Sequence, residues 1–562
     1  MKTKILISCF GIFTLISCGT LDLNPLSDGS SETWNSNKEE IEMSLNGLYK
    51  DAFWMVDNDD WTDDLMYRGN TTPITDATLN GETGFVTTWW ANTYKAIARA
   101  NIVLESLDRA AELLSQQQIN QYAAEARFVR ACQYSRLLSH FGNIVYTEKT
   151  LDIDEALNMG QSDPQTVLQK IYDDFDFAAA NLKPSYSSSE LKRATAGAAL
   201  AMKARIAIQM EDWVTAHTSA KACMDLGIYK LHPEYSNLFL TSTKNSVETI
   251  FGLPRSISLG VALGGRQDYI PRNAGGWGAM NPTWDVFCSY LCTDGLPIDE
   301  SPLFDPRNPF KNRDPRCTAS IVEFQTPHLN FMYQPHPDSV TVRNFATNAY
   351  VENKDTRTIA QFASFNGLIW KKGVANDWLQ NSWRTEADKI IIRYADILLM
   401  YAEAKMESGN IDDSVLEAIN MVRARAYKAD YTEVTKYPAV TTTNPAQLRK
   451  IIRTERRMEF TLENIRYMDL IRWKLAEKVL NTPNYGMLDP EDLKKLVVQK
   501  GLWFFPETPI IDEDGIVDFS FMLNKGLVKQ LNLRKFDANR QYLWPIPTKE
   551  ILTSGLKQNP NY

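Results

Sequence analysis

Trp61, Asp64 and Arg68 lie within eight residues of one another in the stretch FWMVDNDDWTDDLMYRGN, a ring beside an acid and a base. That grouping suits non-covalent binding, because a ring covers an apolar face while charged side chains hold polar substituents at its rim. Similar groupings recur at Trp89, Trp90 and Asn92, and at Trp277 and Trp284 in GGRQDYIPRNAGGWGAMNPTW. A further one is Trp378 and Trp383 in VANDWLQNSWR. Packing a loop onto a core is the commoner fate of such tryptophans, and Trp277 and Trp284 divide evenly between the two uses. Catalytic signatures are missing by contrast: there is no HExxH, no GxSxG and no GxxxxGK[ST]. The five histidines lack ligand spacing, and among 69 acidic residues no pair stands out as a general acid and base. The run DNDDWTDD, residues 57–64, suggests calcium only weakly, since it lacks the glycine and the closing glutamate of a calcium loop. No cofactor is expected, and no metal.

The most specific local chemistry is at the N-terminus. A short basic start, Met1-Lys2-Thr3-Lys4, precedes an apolar stretch from Ile5 to Ile16, and Leu15-Ile16-Ser17-Cys18 closes it. That tetrapeptide resembles a bacterial lipobox, in which the cysteine is acylated and becomes the new first residue. Residues 1–17 then read as a lipoprotein signal and 18–37 as a lipidated tether. Multiple acyl chains give stable attachment, each buried CH₂ contributing about 0.8 kcal/mol. The remaining mature cysteines, Cys132, Cys223, Cys288, Cys292 and Cys317, are odd in number and do not form a disulfide framework. Cys288 and Cys292, four apart, are expected on one helix face as small buried hydrophobes.

The 562 residues, 44% hydrophobic and 11% aromatic, suffice for a real core and exclude a disordered chain. A net charge of −9 excludes nucleic acid as a partner, which needs a basic footprint.

The elements that must position these side chains are helical. From about Ile390 to Ala426 the sequence predicts a helical hairpin, with Ile391, Tyr394, Ala395, Leu398 and Ala402 on one face and a break at Gly409-Asn410. Leu200 to Met224 repeats the arrangement, small residues on both helices and Trp213 after the turn, in the order of a tetratricopeptide unit. Trp89–Leu107 with Ile119–Phe141 forms another pair, and Leu448–Leu480 a further one; Lys38 to Ala52 is a single helix. The stretch around Trp61 reads as a surface loop. Residues 251–386 form a loop-rich insertion with few short strands, laid between helical parts at 38–250 and 387–562. Alternating charges in Glu125, Arg127 and Arg130, and in Glu455, Arg456, Arg457 and Glu459, predict buried ion pairs between stacked helices.

Several collinear segments together resemble the SusD/RagB family of outer-membrane nutrient-binding lipoproteins of Bacteroidetes. They are the Cys18 lipobox followed by LDLNP, AEARFVRACQYSRLLSHFGN, DGLPI, NRDPR, RYADILLMYAEAKMESG, AINMVRARA, ERRMEFTLENIRYMDLIRW and the tail YLWPIPTKEI…QNPNY. In the family these motifs mostly maintain the fold. The resemblance implies a mainly α, SusD-like fold of tetratricopeptide-like pairs and a lipid-anchored place at the outer membrane through Cys18. It also implies a SusC-like TonB-dependent transporter as partner, and capture of an oligosaccharide or polysaccharide without catalysis. Some branches take peptides instead; a surface glycoside hydrolase is the remaining alternative.

Overall fold

The computed structural model describes residues 34–187 and 193–562; Cys18, the signal segment 1–17 and most of the tether lie outside that range. The molecule is mainly helical. Helices α1 (Lys38–Leu48), α2 (Gly84–Ser106), α3 (Gln116–Phe141), α4 (Pro164–Asn181), α5 (Ala196–Gln209) and α6 (Trp213–Asp225) follow one another in chain order. After a long excursion come α7 (Tyr394–Glu407), α8 (Asp413–Ala426), α9 (Pro445–Phe460) and α10 (Arg466–Arg472). Each of α1 to α6 packs on its neighbour, and α7 packs on α6 as though the excursion were absent. Stacked antiparallel pairs of this kind bury a continuous core that no single pair could bury alone. Alanines make close approach possible: Ala198, Ala201, Ala204 and Ala207 on α5 and Ala395, Ala402 and Ala404 on α7 are fully buried.

Helix starts follow their capping residues. Ser115 and Gln118 form a reciprocal capping box on α3, and Asp163 accepts from Thr166 ahead of Pro164 on α4. The hairpin expected from Ile390 begins later, at Tyr394. The β-branched run Ile390-Ile391-Ile392 lies instead in a strand, Lys389–Arg393, antiparallel to Thr249–Leu253. Strand pairing beats helical periodicity there because the partner strand lies alongside. Those two strands clamp the entry and exit of the excursion.

The excursion has its own core. Ile270, Trp284, Phe287, Cys288, Tyr290, Leu368, Trp370 and Trp378 pack with Tyr485, Phe504, Phe505, Phe519 and Met522 from the irregular C-terminal stretch. A four-stranded antiparallel sheet (Thr326–His328, Phe331–Tyr333, Thr341–Asn344, Ala349–Glu352) lies on this side. Cys288 and Cys292 do not share a helix, since the helix Trp284–Ser289 ends before Cys292; all five described cysteines are buried and free.

The stretch around Trp61 is not a surface loop. Leu65–Tyr67 pairs antiparallel with Met280–Pro282, and Trp54, Asp59, Trp61, Asp63, Asp64 and Leu65 are buried. It forms the seam between the two cores. Ion pairs bind that seam and the helices together. Arg457 on α9 meets Asp63 and Asp64, each at 2.7 Å, and Arg466 meets Asp63 at 3.1 Å. Arg130 on α3 meets Asp174 on α4 at 2.8 Å, and Arg456 on α9 joins Asp396 on α7 at 2.9 Å. Glu459 accepts from Arg316, Arg393 and Arg425. Burial pushes its carboxyl up, yet the three guanidinium groups outweigh that and hold it far below the usual carboxylate range.

Candidate functional site

Three loops from distant parts of the chain meet beside the seam. The first leaves the strand Leu65–Tyr67 at Arg68, whose N–H donates to the Ala279 carbonyl at 3.0 Å. The second runs from Gly264 to Ala279 and is pinched by its own backbone. Trp277 N–H reaches Gln267 O at 2.9 Å, Gly278 N–H reaches Ile270 O at 2.8 Å, and Ala279 N–H reaches Asp268 O at 2.8 Å. Glycine is required under the pinch, because a Cβ on Gly276 would sit 2.1 Å from the Ile270 carbonyl oxygen. The pinch lifts Trp277 outward, leaving it 47% exposed.

The third loop carries Trp378 and Trp383. Trp383 N–H donates to Trp378 O at 2.8 Å, and Arg266 N–H donates to Trp383 O at 3.3 Å, which ties this loop to the second. The half-buried Trp383 ring lies against Gly275, 3.0 Å from where a Cβ would be. Trp378 is 7% exposed and lines a cavity of 520 Å³ with Arg255, Arg266, Asp268, Tyr269 and Lys372. Arg266 and Asp268 line the cavity, and the same loop carries Trp277, whose N–H reaches Gln267 O.

Two guanidinium groups meet the main-chain carbonyl of Trp277. Arg68 Nη2 donates to the Trp277 carbonyl at 3.0 Å, and its guanidinium lies 5.4 Å over the Phe362 ring and 5.6 Å over Tyr67. Arg272 Nη1 reaches the same carbonyl at 3.4 Å. At the cavity floor, burial pulls the Lys372 ammonium down to about 8, against the pull of Glu463 at 2.6 Å. Burial also pushes the carboxyls of Asp60 and Asp355 up to about 6.

Of the residues nominated by sequence, Arg68, Trp277, Trp378 and Trp383 are brought together here. Most of the others serve the cores and the seam. Trp61 packs with Phe85, Trp89, Tyr467 and Trp544 at centroid separations from 4.9 to 6.4 Å. Trp89 also touches His140 and lies under Arg136, and Trp90 packs on Tyr94 and Phe141. Trp284, 1% exposed, donates its indole N–H to the Asn366 carbonyl at 2.9 Å and packs against Phe505 and Phe519. Asp64 is committed to Arg457. These five lie buried in the cores and the seam, Trp89 bordering a small cavity with Arg136 and His140. Asn92 is half-buried, with its amide 3.8 Å from the Met55 sulfur, away from the Trp277 face.

Four of the five carboxylates of 57–64 are engaged within the protein, while Asp60 keeps a buried oxygen without a hydrogen-bond partner. Asp57 meets His140 at 2.9 Å, Asp59 accepts from Asn464 N–H at 3.1 Å, and Asp63 and Asp64 meet arginines. Among the described residues no group of three or more His, Cys, Asp or Glu is placed to hold a metal ion. Sequence reasoning missed Arg255, Arg266, Arg272 and Phe362. For two of them a signal existed: Arg266 and Arg272 share the glycine-bracketed segment that presents Trp277.

Comparison with known proteins places the whole chain. A family model described as the SusD family matches residues 255–562, and another described as "Starch-binding associating with outer membrane" matches residues 25–208. A SusD-like protein of Formosa agariphila is 24% identical, the alignment covering 98% of each chain. A SusD-like carbohydrate binding protein from Bacteroides fragilis has a similar structure, with a TM-score of 0.75 and 26% identity over 93% of this chain and 99% of that one. A surface glycan-binding protein A from Bacteroides fluxus shares the fold at a TM-score of 0.61 and 21% identity, over 94% and 100% of the two chains.

Proposed function

The chain belongs to the SusD family, and on that premise we propose that it captures an oligosaccharide or polysaccharide at the outer membrane and passes it, chemically unchanged, to a SusC-like TonB-dependent transporter. Cys18, outside the described residues, is the proposed point of lipid attachment. Localisation rests on the outer-membrane association that the N-terminal family description carries.

The observation that carries the reading is the outward Trp277 indole, on the same loop as Arg266 and Asp268, which line a 520 Å³ cavity with Trp378 and Arg255. An exposed ring held by a rigid loop offers a flat apolar surface to the C–H face of a sugar, and N–H donors at its rim suit the substituents. A stacked-helix platform suits the task because it holds three loops of different origin in one register. The structurally similar Bacteroides fragilis protein is described as carbohydrate binding, which favours glycan over peptide.

Affinity electrophoresis and calorimetry of the protein lacking residues 1–18, across a glycan panel and a peptide panel, test this. Binding of at least one glycan with no release of smaller products is expected. Binding of peptides alone would replace the ligand class, and product formation abolished by one carboxylate substitution would replace capture with hydrolysis. For the anchor, incorporation of labelled palmitate is expected in the wild type and lost in Cys18→Ala.

A further inference from the structure

Resting on the capture reading above, we propose that the saccharide bound at the Trp277 face is anionic, carrying carboxylate or sulfate groups that the surrounding arginines engage. The chain as a whole has a net charge of −9, so a concentration of cations on one face needs a local reason. Arg68, Arg255, Arg266, Arg272 and Arg384 gather there from four separate segments. Arg68 and Arg272 both donate to the Trp277 carbonyl, Arg255 and Arg266 line the cavity, and the Arg384 side chain passes Gly264.

Elsewhere most buried arginines are matched to acids, Arg313 excepted, which donates to the Tyr290, Pro309 and Phe287 carbonyls. Arg130, Arg316, Arg393, Arg425, Arg456 and Arg457 each contact at least one carboxylate. At this face the unmatched kind gathers: the side chains of Arg68, Arg255, Arg272 and Arg384 donate to main-chain carbonyls, and Arg266 lies over the Tyr269 ring at 5.1 Å. Their shared acid is Asp268, which feels both Arg68 and Arg266; Asp51 and Asp388 act on Arg255, while Asp51 itself is held by Lys389 at 2.9 Å. Asp355 lies behind Arg272, accepting from its main-chain N–H at 2.6 Å inside the protein. The cations therefore outnumber the acids that could quench them.

The geometry of the guanidinium groups adds to the count. Each has five N–H donors, and Arg68 and Arg272 each place one on the Trp277 carbonyl, so most of their donor capacity is unspent on the protein. The Arg68 guanidinium lies 5.4 Å over the ring of Phe362, itself 49% exposed, which favours its position beside Trp277. A planar fork matches the paired oxygens of a carboxylate or sulfate, whereas single hydroxyl groups need no formal charge. Trp277 would stack on the ring while Arg68 and Arg272 hold the substituent that projects from it.

The test uses the full chain in detergent micelles with matched probes: polygalacturonate against its carboxyl-reduced product, and chondroitin sulfate against desulfated chondroitin. Calorimetry should show binding to at least one anionic probe and at least about tenfold weaker binding to its neutral or less charged counterpart. Arg68→Gln and Arg272→Gln should each weaken that binding roughly tenfold with melting temperature unchanged, and Lys221→Gln on α6, distant from the face, should not. Raising the ionic strength from 50 to 300 mM should weaken it further, as screening requires. Equal affinity for both members of each pair, or binding only of neutral glycans such as laminarin and galactan, would overturn the anionic assignment and leave glycan capture standing. Anionic binding indifferent to both arginine substitutions would overturn the placement. Binding of acidic peptides with no glycan bound, or of no probe in either panel, would overturn the capture reading and this assignment together.

Discussion

Trp277 and Trp284 stand seven residues apart in one segment and have opposite fates. Trp277 is lifted by the glycine pinch, while Trp284 is sealed among Phe504, Phe505 and Phe519. Replacing each by alanine should therefore separate binding from stability. Trp277→Ala is expected to reduce glycan affinity about tenfold or more with little change in melting temperature, since stacking rings concentrate binding energy. Trp284→Ala should cost roughly 3–5 kcal/mol of folding stability through the cavity it leaves, measured by urea unfolding. The identity of these residues was legible in sequence, but their orientation was not. Nothing local distinguishes a tryptophan before Gly278 from one after Thr283; the carbonyl of Ile270 and the phenylalanines near residue 505 decide it from far along the chain. Asp60 illustrates charge at the same scale. Burial raises its folded carboxyl to about 6, so its contribution to stability is complete below pH 4 and is lost as pH rises through 6. Asp60→Asn should flatten that part of a melting-temperature profile between pH 4 and 6.5.

At the level of elements, the helices were readable because an amphipathic period and a cap act within a few residues of each other. Small residues on α5 and α7 marked close packing in advance for the same reason. The run Ile390-Ile391-Ile392 escaped because its partner strand, Thr249–Leu253, is some 140 residues earlier. The charged pattern of α9 correctly implied buried pairs, although the partners came from the insertion and the seam as well as from stacked helices. Glu459→Gln should destabilise the protein by roughly 3–5 kcal/mol, because Arg316, Arg393 and Arg425 would lose a shared anion inside the core. Urea denaturation that shifts by less than 1 kcal/mol would show the network to be dispensable. A pH dependence belongs here too. Burial raises the Asp396 carboxyl, but Arg456 and Arg205 outweigh it and hold it at about 2. Its stabilisation is thus present above pH 4 and is lost as pH falls from 4 through 2, so acid unfolding should steepen across that interval and be blunted in Asp396→Asn.

For the whole molecule, α9 is the element that joins the two cores. Leu448, Ile452 and Phe460 on it belong to the helical core, and Met458 belongs to the core of the excursion. Arg457 on the same helix holds Asp63 and Asp64 of the seam. Two cores joined through one helix and one buried seam should unfold together, so calorimetry is expected to give a single transition; two resolved transitions would show that they are independent units. Sequence alone determined the helical class, the stacking units, the likeness to a nutrient-binding family and a set of candidate rings, because these rest on short-range periodicity and collinear motifs. Only the tertiary structure decided which rings face outward, that 57–64 is a buried seam, and that five arginines share one face. Those outcomes depend on loops from residues 68, 255–277 and 384 meeting in space, and contacts between distant segments leave no periodic trace in the chain.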